Sequence, residues 1–393
     1  MSKREYPLYP LGMDRVVEAL SEDHDLPALD LCAGASAFDS WKMLPDVDAS
    51  SKLREQLKAA HRYGDPRGEP GLREAIAALL TREHGIEIPS SRVVVTDGAS
   101  SALTAALLTL VQPGDEVIMP RYYFPPYALL THAVGARCRF AAVDESFGVT
   151  ADSIRELITP NTAAILLNSP SNPFGHVLPR PELERILNLG IPVVSDEVYG
   201  ALSTDVFTSV LQLSGDHVVI GSVSKAYAAA GLRVGYAIVP ESLMEAYTTV
   251  RVSLSICTSL PAQALAETLI SHHDVLVPAH RQYLEKNRKI FIRNCNLHGM
   301  RLVSPPRHGF FGVVDTSPYV FDTTESFAID LARQMNLAVA PGSDFAEQDP
   351  KFLRINYSAG ASSLEAGFSR LRAYFDFADR ASSRRAGLRE NCG

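Results

Sequence analysis

The chain has 393 residues, with 37 Lys and Arg against 45 Asp and Glu, so its formal net charge is -8. An acidic chain without a basic stripe argues against nucleic acid or an anionic membrane as the main partner. No stretch approaches the roughly 18 uninterrupted apolar residues of a membrane span, and the opening MSKREYPLYPLG lacks the apolar region of a secretory signal.

The cysteines give an indication of the compartment. The five cysteines are widely separated, include no C-x-x-C pair, and are odd in number, so they cannot all pair in disulfides: Cys32, Cys138, Cys257, Cys295 and Cys392. Such spacing favours reduced thiols and a cytoplasmic protein.

Apolar runs rich in β-branched residues alternate with helical patterns through the middle of the chain. In chain order the predicted strands are RVVVT, DEVIMP, RCRFAAV, AAILLN, IPVVSD, HVVIGS and RVGYAIV. Helical patterns such as SSALTAALLTLV, YALLTHAVG, ADSIRELI and RPELERILNLG separate most of them. This alternation predicts right-handed crossovers and a largely parallel sheet that is covered by helices on both faces.

The pattern changes after Pro261. Long helices extend to NLHG, and FFGVVDTS, LAVAPGSDF and FLRINYS then indicate shorter strands before the amphipathic LEAGFSRLRAYFDFADR. We expect residues 46–285 to form a large domain and 286–393 a smaller α+β domain. Residues 1–45 would be an N-terminal arm that completes the small domain, and the tail is expected to be frayed from about residue 380.

Polar residues follow most of the predicted strands. Because ligands bind at the carboxyl ends of the strands in an open parallel sheet, these residues are candidates for a site. They are Asp97 to Ser100, Tyr122 to Phe124, Asn168 to Pro173, Asp196 with Glu197 and Tyr199, and Ser224 with Lys225 and then Arg233. Each has a structural explanation when taken alone, as a turn, a helix cap or a surface lysine. Their accumulation at one edge favours function.

Two of these segments suggest a specific chemistry. Free amides at the start of the helix after Gly98 would attract a phosphate group. Lys225 follows an apolar strand and precedes the small residues AYAAAG. This setting favours a partly buried amine that acts as nucleophile or base.

The motifs SPSNPFG, SDEVYG and SVSKAYAAAGLRVGY, in this order, resemble those of fold type I pyridoxal-phosphate enzymes. More narrowly, the chain is similar to the class I/II aminotransferases related to aspartate aminotransferase, from LDLCAGASAFD to FLRINYS. The resemblance implies an α/β fold whose large domain holds a mostly parallel seven-stranded sheet between helices. It also implies pyridoxal 5'-phosphate as cofactor, a small-molecule amino-acid substrate, no metal, and a homodimer with composite active sites.

The resemblance also assigns roles at the cofactor ring. Lys225 would form the internal aldimine and later move a proton, and Asp196 would pair with the pyridinium nitrogen. Asn172 and Tyr199 would donate to the phenolic oxygen of the ring, with Asn172 also bordering the substrate. Phe124 would stack on the ring.

Further roles follow for the phosphate and the substrate. The residues that would cradle the phosphate are Gly98, Ala99, Ser100, Ser222 and Arg233, the last through its fixed charge and fork. Tyr63 would reach the phosphate of the neighbouring subunit. Arg354 would bind the substrate α-carboxylate with two hydrogen bonds, and Gly34 would contact the same carboxylate through its backbone.

The sequence departs from the family pattern at three points. Phe174 stands where relatives have threonine, which puts a large ring close to the cofactor. Gly34 is followed by Ala-Ser-Ala, where relatives usually have a polar residue and proline. No arginine stands in an obvious position for a second substrate carboxylate, so a dicarboxylic substrate is not supported.

Transamination of an L-amino acid, through the Lys225 internal aldimine and a Cα carbanion, is the leading hypothesis. A first alternative keeps the cofactor but leads to β- or γ-elimination, replacement or cyclisation of a functionalised amino acid in a specialised biosynthetic enzyme. A second alternative is a cofactor-binding effector domain of a regulator. The roughly 30 residues before LDLCAG leave no room for a winged helix, which argues against it.

Two other groups of residues could have a function, one as a metal site and one as a lid or docking arm. His272, His273 and His280 suggest a metal, but no Cys or carboxylate cluster accompanies them, and a solvated helix end is the better interpretation. Tyr6, Tyr9 and Pro10 would form either a mobile lid over the site or an arm that docks on the partner subunit.

Overall fold

The computed structural model describes residues 11–59, 61–203 and 207–390. Tyr6, Tyr9, Pro10 and Cys392 therefore lie outside the described residues. The strands are β1 (Leu29–Asp30), β2 (Val93–Thr96), β3 (Glu116–Pro120), β4 (Arg137–Ala141), β5 (Thr162–Asn168), β6 (Val193–Asp196), β7 (Val218–Ser222), β8 (Gly235–Ile238), β9 (Phe311–Asp315), β10 (Leu337–Ala338), β11 (Ala340–Pro341) and β12 (Phe352–Asn356).

The helices are α1 (Gly12–Glu18), α2 (Ala49–Ala59), α3 (Pro70–His84), α4 (Ala99–Leu110), α5 (Pro126–Ala133), α6 (Ala151–Arg155), α7 (Arg180–Leu187), α8 (Val223–Ala226), α9 (Glu241–Ser255), α10 (Leu260–Ser271), α11 (His273–Leu297), α12 (Thr324–Met335) and α13 (Ala361–Glu390). Their ends follow ordinary sequence rules. For example, α3 begins at a proline and ends before Gly85, which has a left-handed backbone conformation. A capping box between Thr150 and Ser153 begins α6.

The chain divides into two compact units. The first comprises Met1–Ala37, Tyr283–Pro306 and Phe310–Gly393, and the second comprises Phe38–Gln282 and Arg307–Gly309. The predicted domain limits at residues 45 and 285 stay a prediction.

The larger unit is built on a seven-stranded sheet with the order β2-β8-β7-β6-β5-β3-β4. β8 is antiparallel to both of its neighbours, and all other pairs are parallel. β2, β6 and β7 are buried along their whole length, as expected for strands that helices cover on both faces. The predicted α/β fold with a mostly parallel seven-stranded sheet is confirmed.

The smaller unit has short strands and helices. β11, β12 and β9 form an antiparallel sheet, and β1 pairs in parallel with β10. The segment LAVAPGSDF, predicted as one strand, divides into β10 and β11, which belong to different sheets, and then forms a single 3-10 turn from Gly342 to Phe345. Residues 337–342 are all buried, so the sequence carries no alternation that would mark this change of sheet. The helix α13 continues to Glu390, through the segment after about residue 380 for which the sequence predicts a frayed tail.

Candidate active site

The ends of several strands meet at one edge of the seven-stranded sheet. The register places Asp196, the last residue of β6, opposite Asn168 on β5. Because β8 runs in the opposite direction, its first residue Gly235 lies at the same edge, opposite both Ser222 and Thr96. The topology therefore brings the segments that carry the predicted cofactor residues to a common edge.

Asp196 is a buried carboxylate, only 6% exposed. The Tyr127 hydroxyl donates to its Oδ2 at 2.7 Å, and the Val198 amide donates to Oδ1 at 3.2 Å. Burial raises the pKa of Asp196, while these two hydrogen bonds and the charge of Lys225 act in the opposite direction. A protonated nitrogen bound next to Asp196 would therefore stabilise the ionised carboxylate further.

Sequence reasoning missed Tyr127, although its position carried a signal. It lies three residues after Phe124, about one helical turn further along the chain, and therefore close to the predicted stacking residue. The two rings meet edge to face, with centroids 5.5 Å apart. Burial raises the pKa of Tyr127 well above its usual value, so the hydroxyl stays protonated and acts as a donor.

Asn168 joins this acid to the loop that carries Asn172. Its side-chain amide donates to the backbone oxygen of Asp196 at 3.0 Å, and its side-chain oxygen accepts from the Asn172 amide at 2.8 Å. Asn172 is itself buried and precedes a cis peptide bond, Asn172–Pro173, and the Ser169–Pro170 bond in the same loop is also cis. The hydrogen bonds of Asn168 thus fix Asn172 relative to Asp196.

Lys225 lies in the short helix α8, directly after β7. Its Nζ is 6.0 Å from the centroid of the buried Tyr199 ring. Since the charge of Lys225 also acts on Asp196, the structure brings an amine, a phenol and a buried carboxylate together. This is the central part of the predicted set.

The predicted phosphate-binding end is built from two glycines and an arginine. Gly98 has φ +85° just before α4, and a Cβ atom there would lie 2.3 Å from Nη2 of Arg233. A Cβ on Gly235 would lie 2.5 Å from the Ala99 nitrogen. The positive φ favours glycine at position 98, and the backbone contact requires glycine at position 235. The Arg233 guanidinium lies beside Gly98 at the N-terminal end of α4, which also carries Ser100.

Ser222 has a local structural role in addition to the predicted one. Its hydroxyl accepts from the Ser224 amide at 2.9 Å and donates to the Val234 carbonyl at 3.1 Å. It therefore caps α8, the helix that carries Lys225. Serine suits this position because one hydroxyl can accept and donate at the same time.

Phe174 packs among other aromatic rings. It stacks on Phe147 with centroids 3.9 Å apart, and Tyr122 contacts it edge to face at 5.2 Å. Phe147 stands in the tight turn after Asp144 with φ +65°, a conformation that is unfavourable for a bulky residue. The ring that replaces the usual threonine thus has a visible packing partner.

Arg354 and Gly34 belong to the smaller unit. Arg354 is 2% exposed, donates through Nη2 to the Cys32 carbonyl, and lies 4.1 Å above the Phe311 ring. The side chain of Asn356, two residues along β12, donates to the carbonyls of Ala33 and Ala35, on either side of Gly34. The arginine and the glycine segment predicted to bind one carboxylate are therefore tied to the same strand.

Tyr63 lies between α2 and α3, and 74% of its surface is exposed. The next amide, of Gly64, donates to Sγ of Cys257 at 3.3 Å. The position of Tyr63 therefore differs from that of the other predicted cofactor residues, which are wholly or partly buried apart from Ser100 and Arg233.

The predicted solvated helix end at the three histidines is wrong for two of them. His273 and His280 are buried, and each bonds a neighbouring element. The sequence misled because the buried contacts of these two histidines come from segments that are distant in the chain. No group of three or more His, Cys, Asp or Glu residues in the described part of the chain is arranged to hold a metal ion.

Glu197, next to Asp196, is a second acid, and it is half-buried. It accepts hydrogen bonds from the hydroxyls of Ser195 and Ser209 and from the amide of Val210. Burial raises the pKa of Glu197 to about 7 despite these donors. Two adjacent acids therefore have separate environments.

Comparison with known proteins gives a consistent result. A sequence profile described as "Aminotransferase class I and II" matches residues 27–366. The aspartate aminotransferase of Streptomyces avermitilis is 32% identical over 333 residues, 79% of this chain and 81% of that protein. A probable aspartate/prephenate aminotransferase of Thermus aquaticus is 29% identical over 91% and 93% of the two chains.

Solved structures agree with the sequence comparison. A single mutant of Thermus thermophilus aspartate aminotransferase has a TM-score of 0.83 with this chain at 27% identity, over 95% of this chain and 99% of that one. Among the described residues, no helix is long and apolar enough to cross a membrane. The predicted resemblance is confirmed, and the chain belongs to the class I and II aminotransferases, an enzyme family of fold type I.

Proposed function

We propose that this aminotransferase uses pyridoxal 5'-phosphate to move the amino group of an L-amino acid to a keto acid, with Lys225 as the residue that binds the aldehyde of the cofactor. The arrangement of Lys225, Tyr199 and the buried Asp196 carries the proposal. A buried carboxylate and an amine close together are costly to desolvate and suit a ligand that uses both.

The residues at the sheet edge fit this cofactor at both ends. The amides at the start of α4 and the adjacent Arg233 guanidinium suit a dianionic phosphate. Asp196 suits the protonated ring nitrogen because its other oxygen already accepts from Tyr127. Gly98 and Gly235 keep the phosphate end free of side chains.

We assign the roles as follows. When bound, pyridoxal phosphate supplies an electron sink for the pair left by the Cα–H bond of the substrate. Asp196 holds the proton on the ring nitrogen, and Tyr127 orients that carboxylate. Tyr199 and Asn172 donate to the phenolic oxygen, and Phe124 stacks on the ring. Lys225 Nζ takes the Cα proton and returns it to the cofactor carbon.

The phosphate and the substrate engage further residues. Gly98, Ala99, Ser100, Ser222 and Arg233 hold the phosphate. Arg354 binds the α-carboxylate, beside the backbone of Gly34. The hydrogen bonds from the Asn356 side chain to the Ala33 and Ala35 carbonyls support a common role for Arg354 and Gly34. The relatives bear names of several substrates, aspartate, prephenate and N-acetyl-LL-diaminopimelate among them, so their names do not decide the side chain.

We also propose a homodimer with composite sites, in which Tyr63 reaches the phosphate of the partner subunit. The support is its exposure, since a tyrosine that is 74% exposed has surface left for a partner. A cytoplasmic location is likewise proposed. Among the described residues, Cys32, Cys138, Cys257 and Cys295 form no disulfide, which supports it.

Borohydride labelling and a half-reaction test the proposal. After incubation with pyridoxal phosphate, borohydride should fix the label on Lys225, and Lys225→Ala should lose the label and turnover. The exposed Lys289→Ala is the matched control and should keep both. A label on another lysine contradicts the assignment.

The half-reaction distinguishes transamination from its alternatives. With an amino acid alone, the bound cofactor should change its absorbance once and stop, and a keto acid should restore it. Sustained product formation without any keto acid would instead support elimination, replacement or cyclisation.

A further inference from the structure

The helix that carries Lys225 is too short to support itself. α8 spans only Val223–Ala226. The Tyr227 and Ala228 amides donate to the Val223 and Lys225 carbonyls, but the carbonyls of Ala226 and Tyr227 lie beyond these local bonds. The chain then turns at Ala228, a non-glycine residue with φ +49°. Such a conformation is unfavourable for a residue with a Cβ atom and persists only where the surroundings fix it. The Lys225 turn, residues 225–228, therefore needs donors from elsewhere in the fold.

Two side chains from distant segments supply these donors. Nδ1 of His280 lies 3.0 Å from the Ala226 carbonyl, and the Ser40 hydroxyl donates to the Tyr227 carbonyl at 2.5 Å. A carbonyl can only accept, so Nδ1 of His280 carries the hydrogen. Burial lowers the pKa of His280, which agrees with a neutral ring in this single tautomer. The ring also stacks on Phe38 at 4.7 Å, which fixes its plane.

His273 holds the same turn through a side chain. Its Nδ1 lies 2.8 Å from the Tyr227 hydroxyl, and its Nε2 lies 3.0 Å from Oε1 of Glu83. The Glu83 carboxylate accepts from Nε2–H, and Nδ1 shares the second hydrogen bond with the Tyr227 hydroxyl. Glu83 thereby anchors the ring that contacts the Lys225 turn. His273 and His280 are seven residues apart on α11, which places them on one helix face.

We propose that His280 and His273 are positioning residues for Lys225: they fix the backbone of the Lys225 turn, and with it the place from which Nζ reaches the cofactor carbonyl and the substrate Cα. This inference rests on the proposed function. It assigns to the histidines a part in the chemistry although neither touches cofactor or substrate. Small displacements of a reacting group are costly, about 10²-fold in rate for about 1 Å.

The test removes the donor of His280 and then restores it. His280→Leu has no N–H for the Ala226 carbonyl, whereas the amide nitrogen of His280→Asn can take the place of Nδ1. His272→Leu is the matched control, because Nδ1 of His272 bonds only the Thr268 carbonyl in its own preceding turn. Tyr227→Phe removes one hydroxyl without a change of volume and serves if His280→Leu fails to fold.

Two measurements distinguish positioning from mere stability. The first is the rate at which pyridoxal phosphate, added to cofactor-free protein, gives a borohydride-stable label on Lys225. We expect a loss of about tenfold in His280→Leu, recovery to within about threefold in His280→Asn, and a loss of about threefold in Tyr227→Phe. The second is the kcat and KM of the folded enzyme, where kcat should fall in parallel and KM should change by less than about twofold.

Each outcome separates this inference from the proposed function. If folded His280→Leu is labelled and turns over at wild-type rates, the positioning role is wrong, while Lys225 remains the residue that binds the cofactor. The same holds for Tyr227→Phe if His280→Leu does not fold. A rise in KM alone, or an equal loss in His272→Leu, also overturns it. If the wild type itself carries no label on Lys225, the proposed function fails before the histidines are tested.

Discussion

Asp196 and Glu197 are adjacent acids in different environments. Asp196 accepts from one phenol and one amide, and Glu197 accepts from two serines and one amide. The charge of Lys225 acts to lower the pKa of Asp196, whereas the charge of Asp196 raises the pKa of Glu197. Under the proposed function, these neighbouring positions serve the cofactor and the scaffold separately.

Replacement of Asp196 by alanine should abolish most turnover. Without its carboxylate the cofactor nitrogen has no buried partner, and removal of such a group costs about 10²-fold or more in kcat. Asp196→Glu should do less harm, and Tyr127→Phe should fall between the wild type and Asp196→Ala because it weakens only the orientation. Steady-state kinetics on protein with verified cofactor content measure this, and wild-type turnover in Asp196→Ala would contradict the role.

Glu197 should make cofactor-free protein less stable as the pH rises. Its folded pKa of about 7 lies above the ordinary 4.5. Its stabilising contribution is therefore complete below about pH 4.5 and is lost as the pH rises through about 7. The difference corresponds to about 3 kcal/mol.

The matched variant for this prediction is Glu197→Gln, which cannot ionise. Relative to the wild type, its melting temperature should rise between pH 5 and about 8, at one fixed protein concentration. Parallel pH profiles of the two proteins would show that the acid does not titrate in this range.

Arg354→Lys should chiefly weaken amino-acid binding. Lysine keeps the charge but not the planar fork, so KM should rise by about tenfold or more while kcat changes less. Substrate titration of the absorbance change in the half-reaction measures the affinity directly. An unaltered affinity in folded Arg354→Lys protein would remove this residue from the substrate site.

At the scale of elements, the aromatic rings of Tyr122, Phe147 and Phe174 link three loops of the large sheet. Phe174→Ala removes the stacked partner of Phe147 and should lower the free energy of unfolding by about 3 kcal/mol. Phe174→Leu fills most of the space and should lose about half as much. Thermal unfolding measures both. Equal melting temperatures for the three proteins would show that the stacking adds nothing.

The strands of the large sheet were predictable because burial on both faces leaves continuous apolar runs, as in VVVT and VVIGS. Other elements were not. No residue of α2 is buried, so its sequence has no apolar face to recognise. The roles of His273 and His280 depend on Ala226 and Tyr227, which lie about 50 residues away in the chain. Short-range sequence patterns do not predict contacts between residues so far apart.

At the scale of the whole molecule, shared active sites make a prediction about mixtures of subunits. Tyr63→Ala and Lys225→Ala should each be severely impaired. After subunit exchange, half of the dimers are mixed and each has one site with both residues, so activity should return to about a quarter of the wild-type value.

This experiment has its own controls. The impairment of Tyr63→Ala is established first, and exchange is verified by mass spectrometry of differently tagged subunits. Verified exchange without any recovery would mean that each chain builds its own site, contrary to the composite arrangement.

The family motifs predicted the fold well, since they stand in short segments at the ends of successive strands, and the register brings those segments to one edge of the sheet. The smaller unit was harder to predict. Its strands are as short as two residues, and Arg354 contacts Cys32 across 322 positions of the chain. Only the resemblance, and no local pattern, pointed to that arginine.

The two glycines at the phosphate end have a consequence for how such an enzyme can change. A side chain on Gly98 would displace Arg233, and one on Gly235 would collide with the backbone at Ala99. Variation at position 235 therefore alters the first turn of α4 itself, and variation at position 98 moves the Arg233 guanidinium. A mutational scan should find both sites intolerant of replacement, so new substrate preferences are expected to arise at positions that leave this proposed anion-binding end as it is.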